Sequence, residues 1–390
     1  MRRKFKAILP FVVILALFML SACGGGTSSG TGSGDGSKKD EASGGAISAK
    51  IGVISYLSGP GAAYGEAITN GLKLAKEEIN EEGKVKIELV IEDSAGKADQ
   101  ALSAAQKLIN SENVNAIIGP TLSTEMQVVG PVADQNGVPI MGTSTTAAGI
   151  PQLGEYVFRD SLPESQAIPA AMKKAVDKYG AKKVAIMYGN DDVFTKSGYD
   201  TMKKTAEEMG LEVLTTQTFQ KGQSDYKAQL TKIKNLQPDL ILCSALYNEG
   251  AVIMDQARSM GIDVPFVGGN GFNSPQVIKI AGDAADGLIV ATPWFGGKDD
   301  PKVQAFVKKY EEAYGKAPDQ FSAQAYDGLK IMAKAIADAG SAERDAIRDG
   351  LAGIDSYEGV LGKFSFDDEG DVVMEPVVLV IKDGKFQVLE

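Results

Sequence analysis

Two short runs of hydroxyl side chains are the residues best suited to chemistry. Thr121, Ser123 and Thr124 follow the apolar run Asn115–Gly119 (NAIIG). Thr143, Ser144, Thr145 and Thr146 follow Val138–Met141 (VPIM). Each cluster reads as a turn just beyond a strand, which in an open α/β sheet is where ligands bind. Backbone N–H groups left free at the helix starts favour an anion there. The pattern predicts a small pocket for a carboxylate, built from hydroxyls and amides rather than cations. One such turn alone is better read as Ser123 capping a helix beside ordinary turn residues. Two in succession, after consecutive strands, favour a site.

Other chemistries are excluded by what the chain lacks. It has no histidine, which removes Ser-His-Asp and Cys-His catalysis and His-ligated metals. Its two cysteines are Cys23 and Cys243, with no spacing for zinc. Cys243, in the apolar run LILCSAL, reads as a buried thiol. The net charge of −11 and the lack of a basic stripe argue against nucleic acid. GGNG at Gly268–Gly271 is no dinucleotide fingerprint, because Ser274 stands at the third glycine position. The acidic run Asp367–Asp371 is too compact for a calcium loop and reads as a turn between strands. No cofactor or metal is expected.

The elements that must position the two turns alternate regularly. Ile51–Ser55 reads as a strand. A glycine-rich turn follows, then a helix with Ile68, Leu72, Ala75 and Ile79 on one face. Val85–Ile91, a helix marked by Ala101, Leu102, Ala105 and Ile109, and the two short runs beside the hydroxyl clusters continue the alternation. Near Tyr156–Ser161 the pattern restarts. A helix through Ile168, Met172 and Ala175 leads to strands at Lys183–Met187, Glu212–Phe219, Asp239–Cys243, Pro265–Val267 and Gly287–Ala291, with helices between them. Two amphipathic helices follow Trp294, a residue that could wall a cleft or pack a hinge. A hairpin with an Asp383-Gly384 turn ends the chain. Strict alternation predicts parallel sheets with helices on both faces, in two lobes of similar size.

The N-terminus reads as an address. Arg2–Lys6 is basic, and Ala7–Leu20 is an apolar run within the usual signal-peptide span of about 7–15 residues. Residues 1–22 are expected to be a signal peptide. Residues 23–46, rich in Gly, Ser and Thr, are expected to be a flexible tether. Leu20-Ser21-Ala22-Cys23 resembles a bacterial lipobox, which implies lipidation of Cys23 and an extracytoplasmic protein anchored to the cell membrane.

From about Lys50 to Gly384 the chain resembles the type I periplasmic binding proteins of ABC importers, above all the branched-chain amino-acid (Leu/Ile/Val) group. The resemblance is carried by IGVISYLSGPGAAYGEAITNGLKLA, GPTLSTEMQ, GVPIMGTSTT, AIMYGNDD, FVGGNGFNSP, AGDAADGLIVATPW and GKFSFDDEGDV, in that order. It implies two Rossmann-like lobes with parallel-sheet cores, joined by a three-crossing hinge that closes on ligand. The crossings fall near Ser161, Thr292 and Val360–Lys363. Lobe 1 is then 47–161 and 293–360, and lobe 2 is 162–292 and 361–390.

The resemblance also implies site residues. Ser123 matches the serine that holds the ligand carboxylate. Ser144 and Thr146 match the pair that meets the ammonium and the rest of the ligand head. Tyr64 matches the tyrosine that covers the side chain. In the second lobe the chain departs from the group: Phe194 and Leu246 stand at or beside aromatic positions, and Asn270 replaces the acid that meets the ammonium. Asp191, Asp192 or Glu249 could compensate. The implied function is a non-enzymatic, monomeric solute-binding lipoprotein. It delivers a small carboxylate, most simply an aliphatic or branched-chain amino acid, to an ABC permease. A ligand-sensing receptor of the same fold, or a binder of an amide, aromatic or other non-α-amino ligand, is the alternative.

Overall fold

The computed structural model describes residues 45–367 and 371–390. The expected signal peptide, Cys23 and nearly all of the expected tether lie outside these residues.

The first sheet contains β1 (Ile47–Ser55), β2 (Val85–Asp93), β3 (Ala116–Ile118), β4 (Ile140–Gly142) and β5 (Val157–Arg159). All pairs are parallel, in the order β2-β1-β3-β4-β5. Helices α1 (Ala62–Glu82), α2 (Ala98–Asn110) and α3 (Ser123–Gln135) connect them. The strand β5 was not expected as part of this sheet, since the pattern at Tyr156–Ser161 reads as a restart. Its three residues are all buried, so they show neither alternation nor enough length to declare their sheet.

The second sheet is entered through α4 (Glu164–Tyr179). It contains β6 (Lys183–Gly189), β7 (Glu212–Phe219), β8 (Leu240–Ser244), β9 (Phe266–Gly268) and β10 (Leu288–Thr292). Helices α5 (Val193–Glu208), α6 (Lys227–Leu236), α7 (Tyr247–Ser259) and α8 (Gln276–Ala281) alternate with these strands. The chain then forms α9 (Pro301–Tyr314), α10 (Gln320–Ala339) and α11 (Arg344–Ala352), the last without a counterpart in the sequence reading. A small antiparallel sheet of β11 (Tyr357–Gly359), β12 (Gly362–Phe366) and β13 (Val372–Val373) follows. The closing hairpin, β14 (Val377–Lys382) and β15 (Lys385–Val388), adds antiparallel strands beside β10. Its turn residues Asp383 and Gly384 both have positive φ, 51° and 68°, as the favoured two-residue hairpin turn requires.

The helix α10 seats the late segment on the first sheet. It lies against α1 so closely that a Cβ on Gly71 would stand 2.1 Å from the Ser322 carbonyl oxygen. Only glycine permits that approach. Trp294 is buried, its ring edge-on to Phe306 at 5.9 Å. It packs the segment after β10 rather than lining the cavity below.

The fully buried Arg159 ends β5. It donates through Nη1 to the carbonyls of Thr145 and Ala147 at 3.0 and 2.6 Å. Through Nε and Nη2 it grips both carboxylate oxygens of Asp371 at 2.6 Å each. A bidentate pair of this kind is strong and directional. It ties the second hydroxyl-rich turn to the stretch between β12 and β13. Among the described residues, no helix is long and apolar enough to cross a membrane.

Candidate functional site

Both hydroxyl-rich turns lie at the C-terminal ends of strands, β3 and β4. The first starts α3, whose first residue is Ser123. The Ser123 hydroxyl does not cap its own helix. It accepts the Ala147 N–H from the second turn at 3.2 Å, so the capping alternative fails. Glu125 takes the capping role instead, its carboxylate accepting the Leu122 N–H at 2.9 Å. The Ser144 hydroxyl donates to the Thr121 carbonyl at 2.6 Å, and the Thr121 hydroxyl accepts the Tyr56 N–H at 3.0 Å. The two turns and the end of β1 are thus one bonded unit.

Facing this unit across a cleft are the ends of β8 and β9. A small cavity of about 20 Å³ lies between them. Six of the seven residues expected at the site line it: Tyr64, Ser123 and Ser144 from the first side, Phe194, Leu246 and Asn270 from the second. Thr121, Leu122, Gly271 and Phe321 complete the wall. Phe321 was missed because it arrives on α10, far along the sequence, with nothing local to mark it. Thr146 lies one layer behind, fully buried, its hydroxyl donating to Glu164 at 3.5 Å.

The cleft is closed by bonds that cross it. Tyr64 donates to the Gly271 carbonyl and accepts the Tyr247 N–H at 3.0 Å. Its ring packs edge-on against Tyr247 at 4.6 Å and Phe321 at 4.7 Å. Tyr247 in turn donates to the Pro60 carbonyl at 2.6 Å. The Thr124 hydroxyl donates to Asp192 at 2.8 Å and accepts the Val193 N–H at 3.0 Å. The Ala148 N–H reaches the Ser197 hydroxyl at 2.9 Å. Lys221 reaches the Gly96 carbonyl at 3.1 Å, over the ring of Tyr56.

The three acids weighed as substitutes for a charge at 270 are occupied elsewhere. Asp192 caps α5 and holds Thr124. Asp191 accepts the Lys221 N–H. Glu249 accepts the Gly222 N–H at 2.9 Å. None lines the cavity. The Asn270 side-chain oxygen accepts from Gln320, and the Asn270 N–H donates to Glu164 at 2.7 Å. No charged side chain is among the cavity-lining residues described. The wall presents hydroxyls, amides and aromatic faces, the groups that suit a small polar ligand once the cleft admits one.

A family model for periplasmic binding proteins matches residues 48–385. The chain is 27% identical over 327 residues to the leucine-, isoleucine-, valine-, threonine- and alanine-binding protein of Pseudomonas aeruginosa, covering 83% of this chain and 87% of that one. It superposes with a TM-score of 0.83 on a branched-chain amino acid transporter substrate-binding protein from Streptococcus pneumoniae, solved with isoleucine. The identity there is 31%, with 87% and 98% of the two chains covered. A solute-binding protein of an ABC transporter from R. palustris, solved with benzoate, gives a TM-score of 0.80 at 26% identity, with 88% and 96% covered.

Proposed function

This chain belongs to the periplasmic binding protein family, and from that premise we propose that it captures a small carboxylate, most simply an aliphatic or branched-chain amino acid, for an ABC importer. The observation that carries the proposal is the small cavity walled from both sides of the cleft by six of the seven expected residues. In this reading lobe 1 comprises 47–161 and 293–360, and lobe 2 comprises 162–292 and 361–390. Ser123 holds the carboxylate, Ser144 and Thr146 the ligand head, and Tyr64, Phe194, Leu246 and Asn270 the side chain and the far wall. The relatives support the ligand class, since one is named for five aliphatic and hydroxyl amino acids and another was solved with isoleucine. The family places the protein outside the cytoplasm. Cys23 then carries the lipid, residues 23–46 form the leash, and the protein works as a monomer beside its permease. In this reading the site binds its ligand and breaks no bond.

A second reading takes a carboxylate without an amino group. It is favoured by Asn270, which brings no charge, and by the relative solved with benzoate. A thermal-shift panel of amino acids and simple carboxylates separates the two. Ligand at 100 times its dissociation constant adds about 2.7 kcal/mol of stability. No shift with any member of the panel sinks both readings.

A further inference from the structure

The cleft is fastened at its mouth by a cation that does not touch the cavity. Lys221 stands in the turn between β7 and α6, on the side of the second sheet. It is exposed and is absent from the cavity wall. Two acids of its own side hold the backbone beneath it. Asp191 accepts the Lys221 N–H at 3.0 Å, and Glu249 accepts the Gly222 N–H at 2.9 Å. From that fixed base the ammonium crosses the mouth. It donates to the Gly96 carbonyl at 3.1 Å and stands 5.6 Å from the centre of the Tyr56 ring. Gly96 and Tyr56 follow β2 and β1 of the first sheet.

The receiving side is built to take it. Tyr56 is 2% exposed. Gly96, with φ at 67°, lies against the ring so closely that a Cβ there would stand 2.4 Å from a ring carbon. Any other residue would part the carbonyl from the ring that together receive the ammonium. The surroundings are acidic on both sides. Asp93 and Glu125 of the first side and Glu249 of the second lie within electrostatic reach of the Tyr56 hydroxyl. Glu125 also feels Asp192 across the cleft, and Lys221 as the opposing charge. Bringing the two sides together therefore brings like charges together, which repel. Lys221 places a positive charge among them.

We propose that Lys221 is a positioning residue for ligand capture, latching the mouth behind the bound ligand and so setting the rate at which the ligand leaves. The proposal rests on the amino-acid reading above and adds to it the residue that governs release. Lys221 does not meet the ligand, so its effect falls on residence time and not on the choice of side chain. The latch forms after encounter, so association is spared and dissociation carries the change.

The test is stopped-flow measurement of leucine association and dissociation on the purified protein. Lys221→Met keeps much of the side chain's length and removes its charge. Its dissociation rate should rise about fivefold, the scale of one exposed cation, with association within about twofold and the ligand-free thermal midpoint unchanged. Lys221→Arg should restore the parent rate to within about twofold. Raising NaCl from about 20 to about 500 mM screens the latch, so leucine should leave the parent faster and the Lys221→Met variant no faster. An unchanged dissociation rate in Lys221→Met overturns the assignment and leaves the amino-acid reading standing. A loss confined to association, or an altered ratio of leucine to valine affinity, overturns it too. Failure of the unaltered protein to bind any amino acid sinks the amino-acid reading, and this assignment with it.

Discussion

The Tyr64 hydroxyl accepts the backbone N–H of Tyr247 at 3.0 Å while donating to the Gly271 carbonyl. One phenol from α1 thus satisfies a donor and an acceptor on the opposite wall of the cleft. Tyr64→Phe keeps the ring contacts and removes both bonds. Each buried group left unmet costs about 1–3 kcal/mol. We expect ligand affinity to fall at least tenfold by calorimetry, with little change in side-chain preference. Wild-type affinity in this variant would show that the phenol does not hold the closed cleft.

Ser123 and Thr146 lie on the two hydroxyl-rich turns. Ser123→Ala deprives the Ala147 N–H of its acceptor, and Thr146→Ala removes a donor to Glu164. Each substitution is expected to weaken ligand binding by about 1–3 kcal/mol. If both variants bind like the parent, the pocket has been put in the wrong place.

Asp371→Asn should destabilise the fold. Arg159 is fully buried and grips both carboxylate oxygens. Removing one partner of a buried pair leaves an uncompensated charge, at a cost of about 3 kcal/mol. Urea unfolding measures it. An unchanged midpoint would mean that the guanidinium finds another acceptor.

Gly71→Ala tests the seam between α1 and α10. The new methyl would meet a backbone oxygen, which cannot rotate away. The cost is about 1–3 kcal/mol or more, read as a lower thermal midpoint in the absence of ligand. A variant as stable as the parent would show that the two helices can slide apart.

Stability should decline from pH 5 to pH 8. Burial raises the carboxyls of Glu164 and Asp327 to about 7 and of Glu125 and Asp319 to about 6. With folded values above unfolded ones, the native state binds more protons than the unfolded chain across this range. Raising the pH then favours unfolding. A thermal midpoint that climbs from pH 5 to pH 8 contradicts this.

The strands and helices with clear period were legible in the sequence, as with Ile68, Leu72, Ala75 and Ile79 on α1. So were the two hydroxyl-rich turns, because the turn after a strand advertises itself through Gly, Ser and Thr. The strand β5 was not, since three buried residues carry no period. Phe321 and Glu164 escaped for a different reason. Each reaches the site from a distant segment, and its side chain makes sense only beside Tyr64 or between Thr146 and Asn270. Packing brings these residues together, and local pattern does not encode it.

The 20-residue helix α10, about 30 Å long, has a second consequence. Gln320 near its start bonds both Asn270 and Thr292, and Phe321 faces the cavity. Two turns on, the Asp327 carboxylate receives the Val360 and Leu361 N–H groups at 3.1 and 2.8 Å. The helix is the doorpost of the molecule. One helix meets the cavity, the end of β10 and the Val360–Leu361 stretch, so these three places share a single support.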